Sequence, residues 1–95
     1  MKEEIVQLKN GKVTGYFIDL GHAPLIILQA KKGYLMCGYL NMNTANKLGD
    51  IAGKVTGVKS FQDALNATVV EVSEQAKKEG LEEGMNATDF LQHLL

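Results

Sequence analysis

The sequence predicts an α+β fold, in which an antiparallel β meander is followed by helices and one further strand. Residues 3–40 consist of short β-forming segments separated by turn residues, whereas apolar residues after Asn41 recur mainly at helical spacing. Several helix-capping residues also stand in the second half. The 95 residues fit one hydrophobic core. We therefore expect a single domain over 1–95, β-rich at 1–40 and mainly helical at 41–95, with a sheet that can be mixed.

Four strands are predicted in the first half of the chain. Asn10-Gly11 is a strong hairpin signal, because both residues tolerate the positive φ of a type I′ turn. Pro24 stands near the start of the third strand, where a missing amide proton is best tolerated. The predicted strands run over 4–8, 12–20, 23–30 and 34–40.

In the second half, the first predicted helix runs from Asn43, its N-cap, to Thr56, and Gly57 follows its end. Its apolar residues fall at steps of three and four: Ala45, Leu48, Ala52 and Val55. A short helix capped by Ser60, a strand over 68–72 and a helix from Ser73 to Glu79 follow. A last helix is capped by Asn86.

Composition excludes several classes of partner. The ten cationic residues are all lysines, and eleven acidic residues balance them. Without arginine or a basic stripe, the sequence argues against nucleic-acid binding. One cysteine excludes an internal disulfide, and no ligand spacing predicts a metal or a cofactor. With no leader and no apolar span, we expect a soluble cytoplasmic protein without a membrane partner.

Two predicted strands are apolar on both faces, in the segments 16–18 and 25–28. An antiparallel strand with one face in water should alternate, so both faces of this sheet need cover. Helices from the second half can cover one face, and another subunit would cover the other face or an edge. The sequence therefore predicts a homo-oligomer, with a lone domain and a strongly curled sheet as the alternative.

Cys37 is the first candidate site residue, because its strand leads into a predicted helix N-terminus. Backbone amides there would lower the pKa of the thiol. A catalytic triad of Cys37, His22 and either Asp19 or Asp50 is conceivable, although no spacing selects it. The alternative is that Cys37 is a small apolar residue in a packed strand.

A row of polar residues is the second candidate site. Asn43, Asn46 and Asp50 share one face of the predicted helix, and Asn41 precedes it. Beside free amides, such a row could bind a small polar or anionic ligand. Alternatively, Asn41 and Asn43 are turn and cap residues, and the others form the solvated face of the helix.

Short motifs in order along nearly the whole chain resemble the YunC-like family, a bacterial and archaeal family of unknown function. The resemblance implies an N-terminal β region that associates subunits into tetramers, and it implies no catalytic residue. Its motifs are Ala23-Pro24-Leu25-Ile26, Met36-Cys37-Gly38-Tyr39-Leu40-Asn41, Leu48-Gly49-Asp50, Gly57-Val58, Gly80-Leu81 and Gly84-Met85.

Two functions follow from these patterns. The first is a structural or small-metabolite-binding homo-oligomer, favoured because no base, metal or cofactor motif can be named. The second is a small cysteine-dependent hydrolase or acyl-transfer enzyme with its site near Cys37. A thiol that lines a cleft within hydrogen-bond reach of His22 or an aspartate would favour the enzyme.

Overall fold

The computed structural model describes residues 1–95 and contains one six-stranded sheet and four helices. The strands are β1 Lys2–Leu8, β2 Gly11–Asp19, β3 Pro24–Gln29, β4 Tyr34–Met36, β5 Ala52–Lys54 and β6 Glu71–Val72. The helices are α1 Met42–Leu48, α2 Phe61–Asn66, α3 Glu74–Lys78 and α4 Ala87–Gln92.

The sheet is mixed, and its strands lie in chain order from β1 to β6. Every neighbouring pair is antiparallel except β4 and β5, which are parallel and joined through α1. The predicted α+β class, with a meander at the start, is therefore confirmed. No helix has the length and the apolar character needed to cross a bilayer.

The predicted helix from Asn43 to Thr56 is wrong in its second half. Asn41, not Asn43, is the N-cap of α1, and Gly49 ends the helix with a φ of 76°. The chain then forms β5, where Gly53 lies against the ring of Phe90. A Cβ at this position would be 2.8 Å from Phe90 Cζ, so this glycine permits the close approach of β5 and α4.

The other helix caps agree with the prediction, while three strands are shorter than expected, the third by one residue at each end. Ser60, Ser73 and Asn86 each accept a hydrogen bond from a backbone amide of the helix that they cap. The fourth strand stops at Met36 instead of Leu40. In the predicted strand over 68–72, only Glu71–Val72 forms a strand, and Thr68 makes an isolated bridge to Asn86.

The two faces of the first three strands differ in burial. Val13, Ile26 and Leu28 are buried on the face that packs against α2 and α4, and Phe61 of α2 lies over Gly15 there. On the opposite face, the side chains are only half-buried or exposed. We call this second surface the open face, defined by Ile5, Tyr16, Ile18 and Ile27.

Candidate functional site

Cys37 lies directly after β4 and is 4% exposed. Its sulfur accepts a hydrogen bond from the Ile26 amide at 3.3 Å. The residue also belongs to the main hydrophobic core. The thiol is thus packed against the neighbouring strand β3, as the apolar interpretation of this residue required, although its residue also borders a cleft.

The cleft has a volume of about 250 Å³ and is formed by three segments that are distant in the sequence. These are the start of β3, the turn after β4 and the loop before α2, which contribute residues 23–24, 37–39 and 57–59. The Tyr39 hydroxyl donates to the Ala23 carbonyl at 3.4 Å, which links two of the segments. Gly57 has a φ of 70°, a conformation that glycine adopts without strain.

Lys59 is the charged residue in the lining of this cleft, which contains no carboxylate. Its amide donates to Asp63 Oδ2 at 3.1 Å, but Asp63 does not line the cleft, and Lys59 makes no salt bridge. The remaining lining is largely apolar and includes Ala23, Pro24 and Val58. The cleft is therefore an apolar depression with one positive charge at its edge.

The structure does not bring the suggested catalytic triad together. His22 is exposed in the turn before β3, next to Ala23 of the cleft, and makes no side-chain hydrogen bond. Asp19 accepts from the Gly21 amide at 2.9 Å in the same turn. Asp50 precedes β5 whereas Cys37 follows β4, so in this parallel pair they lie at opposite ends.

Asp50 instead pairs with Tyr34. The Tyr34 hydroxyl donates to Asp50 Oδ2 at 2.6 Å. Burial, followed by the hydrogen bond to Asp50 and the negative charge of Asp50, raises the pKa of the Tyr34 phenol to about 12. The phenol is therefore held neutral over a wider pH range than a free tyrosine, and this pair ties the start of β4 to the segment before β5.

The suggested asparagine row is divided between different roles. Asn41 Oδ1 accepts from the Asn43 amide at 2.7 Å, and Asn46 Oδ1 accepts from the Glu74 amide at 2.8 Å, which connects α1 to α3. Asn43 is exposed. Asn41 and Asn43 do border a separate polar depression, beside the Lys54 to Glu71 salt bridge of 3.5 Å.

Sequence reasoning missed the contribution of the segment 57–59 to the site of Cys37. The helix predicted up to Thr56 concealed the fact that β5 runs beside β4 and carries this segment to the cleft. The only sequence signal was that Ala23-Pro24, Cys37-Gly38-Tyr39 and Gly57-Val58 all belong to the motifs of the family resemblance. No group of three or more His, Cys, Asp or Glu side chains is placed to hold a metal ion.

The fold and the cleft define a small α+β protein with a mixed sheet and a cleft where the parallel strands β4 and β5 end. A family model described as "Domain of unknown function (DUF1805)" matches residues 36–94. The chain belongs to this family. The YunC-like resemblance is confirmed, since 90 residues are 24% identical to "Uncharacterized protein YunC" of Bacillus subtilis, with 90% of this chain and 89% of that protein covered.

A solved structure has the same fold. It is the crystal structure of a protein of unknown function, TA1206, from Thermoplasma acidophilum, which is 41% identical in sequence with a TM-score of 0.94. The similarity covers 99% of this chain and 92% of that one.

Proposed function

We propose that the protein is a homo-oligomeric module that binds a small molecule in the cleft beside Cys37. The observation that carries the proposal is the open face of the N-terminal sheet. Assembly through this face covers apolar surface that the helices leave uncovered. None of the four residues that define the open face lines the cleft, so assembly and ligand binding can coexist.

The open face is apolar across neighbouring strands. Tyr16 of β2 is directly opposite Ile27 of β3, and Ile18 follows on the same side of β2. Ile5 of β1, opposite Thr14, is 60% exposed. Exposed apolar side chains on neighbouring strands of one sheet mark an interaction site more often than isolated apolar residues do.

A second copy of the chain is the proposed occupant. A domain of 95 residues buries a smaller fraction of its surface than a larger domain and gains stability from assembly. An apolar face repeated on each copy is self-complementary about a twofold axis. The family resemblance implies the same region for subunit association, and it implies a tetramer, in which a second contact would join two such dimers.

A lysine on the open face tests the assembly. In Ile27→Lys a buried cation would lie in the proposed interface, so the oligomer should dissociate while the monomer stays folded, because Ile27 is only half-buried within one chain. Gln62→Lys adds the same charge at an exposed position of α2 and should keep the native mass. Light scattering measures both masses, and an unchanged mass in folded Ile27→Lys would contradict the proposal.

The cleft supports the ligand-binding part of the proposal. It lies beyond the carboxyl ends of the parallel strands β4 and β5, where open sheets with helical crossovers commonly bind ligands. Its volume of about 250 Å³ suits a small molecule. A metabolite present at ~100 times its Kd should stabilise the protein by about 2.7 kcal/mol, which a thermal-shift screen detects.

Cysteine-dependent hydrolysis or acyl transfer is the second candidate, favoured by one observation. The Ile26 amide donates to Cys37 Sγ at 3.3 Å, and Cys37 is one of the residues that line the cleft. No histidine or carboxylate is hydrogen-bonded to this sulfur to act as a base. Maleimide labelling decides between the two: the binding module requires native Cys37 to react as slowly as a buried thiol, and the enzyme requires fast labelling.

A further inference from the structure

We infer that the ligand of the cleft is a small organic monoanion, a carboxylate with a short apolar body. This inference rests on the proposed ligand-binding role of the cleft and specifies the class of ligand. Three features carry it: backbone donors without protein acceptors, one unpaired lysine and an apolar lining.

The backbone donors are the first feature. The amides of Cys37 and Val58 donate to no acceptor in the protein, although these residues are only 4% and 7% exposed. Nearly all amides of buried residues are paired, so donors of this kind call for an acceptor from outside the chain. The adjacent amides of Gly38 and Gly57 also lack a protein acceptor.

These amides belong to two segments that both line the cleft. Cys37-Gly38 comes from the turn after β4, and Gly57-Val58 comes from the loop before α2. Neither segment depends on a helix N-terminus. Two pairs of consecutive free amides around one depression suit a carboxylate, whose two oxygens accept several hydrogen bonds.

The charge of the cleft lining indicates the sign and the number of charges on the ligand. Lys59 is the charged residue of the lining and has no salt-bridge partner. Because the lining contains no carboxylate, no acidic side chain in it competes with a bound anion for Lys59. One lysine, in a chain without arginine, matches a single negative charge better than the double charge of a phosphate monoester.

The apolar lining indicates that the part of the ligand outside its carboxylate is apolar. Ala23, Pro24 and Val58 present carbon surface to the cleft, and they would contact the apolar body of the acid. A volume of about 250 Å³ holds a ring or a short branched chain and excludes a nucleotide.

The test compares two probes of nearly equal shape on the full-length protein. Benzoate carries the charge, and benzamide replaces it with a neutral amide. In ¹⁵N–¹H NMR titrations, benzoate should saturate and shift the amides of Cys37, Gly38 and Val58. It should bind at least about fivefold more tightly than benzamide, since a charged hydrogen-bonding group typically contributes more than a neutral one.

Two charge-removing variants complete the experiment. Lys59→Gln should weaken benzoate binding at least about fivefold and leave benzamide binding unchanged. Lys47→Gln removes an exposed lysine of α1 outside the cleft and should bind benzoate as the native protein does.

The outcomes separate this inference from the proposed function. If benzamide binds as tightly as benzoate, or if Lys59→Gln binds benzoate normally, the anion assignment is overturned while the cleft remains a binding site. If neither probe shifts the cleft amides and no metabolite gives a thermal shift, the ligand-binding role itself is wrong. The oligomeric state is measured independently by light scattering.

Discussion

Ser73 is the buried polar residue through which a strand and a helix are joined. Its hydroxyl accepts from the amides of Ala52 at 3.0 Å and Ala76 at 3.2 Å, and it donates to the Asp50 carbonyl at 2.7 Å. The residue is fully buried. One side chain therefore satisfies the N-terminus of α3 and the start of β5 at once.

Replacing this hydroxyl should cost more than replacing an ordinary cap. Ser73→Ala leaves the Ala52 amide and the Asp50 carbonyl without a partner in a buried region, so we expect a loss of about 2–4 kcal/mol in the free energy of unfolding. Ser60→Ala removes a cap that accepts only from Asp63, and it should cost about 1 kcal/mol. Urea unfolding compares the two, and equal losses would contradict this role of Ser73.

The Tyr34 to Asp50 pair predicts a pH dependence of stability. The pKa of the phenol rises from 10.0 to about 12 on folding. Between these values the unfolded chain releases the proton while the folded chain keeps it, so the stabilisation is complete below pH 10 and is lost as the pH rises towards 12.

Tyr34→Phe isolates this effect. The variant should lose about 1–2 kcal/mol at neutral pH, because a hydrogen bond to a carboxylate is removed. Its deficit relative to the native protein should shrink between pH ~8 and ~11, as the native protein loses the contribution of the neutral phenol. Urea unfolding at both pH values checks this, with Tyr39→Phe as the control, because the Tyr39 hydroxyl bonds a backbone carbonyl and not a carboxylate. A deficit that stays constant would refute the assignment.

At the scale of elements, the sequence predicts caps and turns better than the strand β5. A capping side chain bonds an amide within three residues of itself. The caps Ser60, Ser73 and Asn86 can therefore be predicted from the short sequence around each of them. β5 has three residues, and its pairing with β4 and β6 is a non-local contact. Its apolar residues also continue the helical spacing of α1. For this reason the spacing predicts a helix that runs beyond the true end of α1.

The close approach of β5 and α4 gives a second prediction at this scale. In Gly53→Ala, the new Cβ would lie 2.8 Å from Phe90 Cζ, and Phe90 is fully buried. We expect a loss of about 1–3 kcal/mol from overpacking. At Gly38 a Cβ would meet only Thr56 Cγ2 at 3.8 Å, so Gly38→Ala should be nearly neutral. Thermal unfolding ranks the two, and equal stabilities would contradict the packing.

At the scale of the whole molecule, the site depends on contacts that the sequence does not reveal by spacing. The strand pattern does predict the open face. The segment 16–18 is apolar on both faces of the sheet, so each face needs a packing partner. The sequence also singles out Cys37. It does not predict that Lys59 lines the same cleft as Cys37, because the helical spacing after Asn43 predicts one continuous helix up to Thr56.

The central claim is that the working unit contains several copies joined through the open face of the N-terminal sheet. The mass of the native protein by light scattering, at micromolar concentration, tests it most directly. We predict a multiple of the 10.4 kDa chain, and four copies if the tetramer implied by the family resemblance forms. A mass of one chain would contradict the claim.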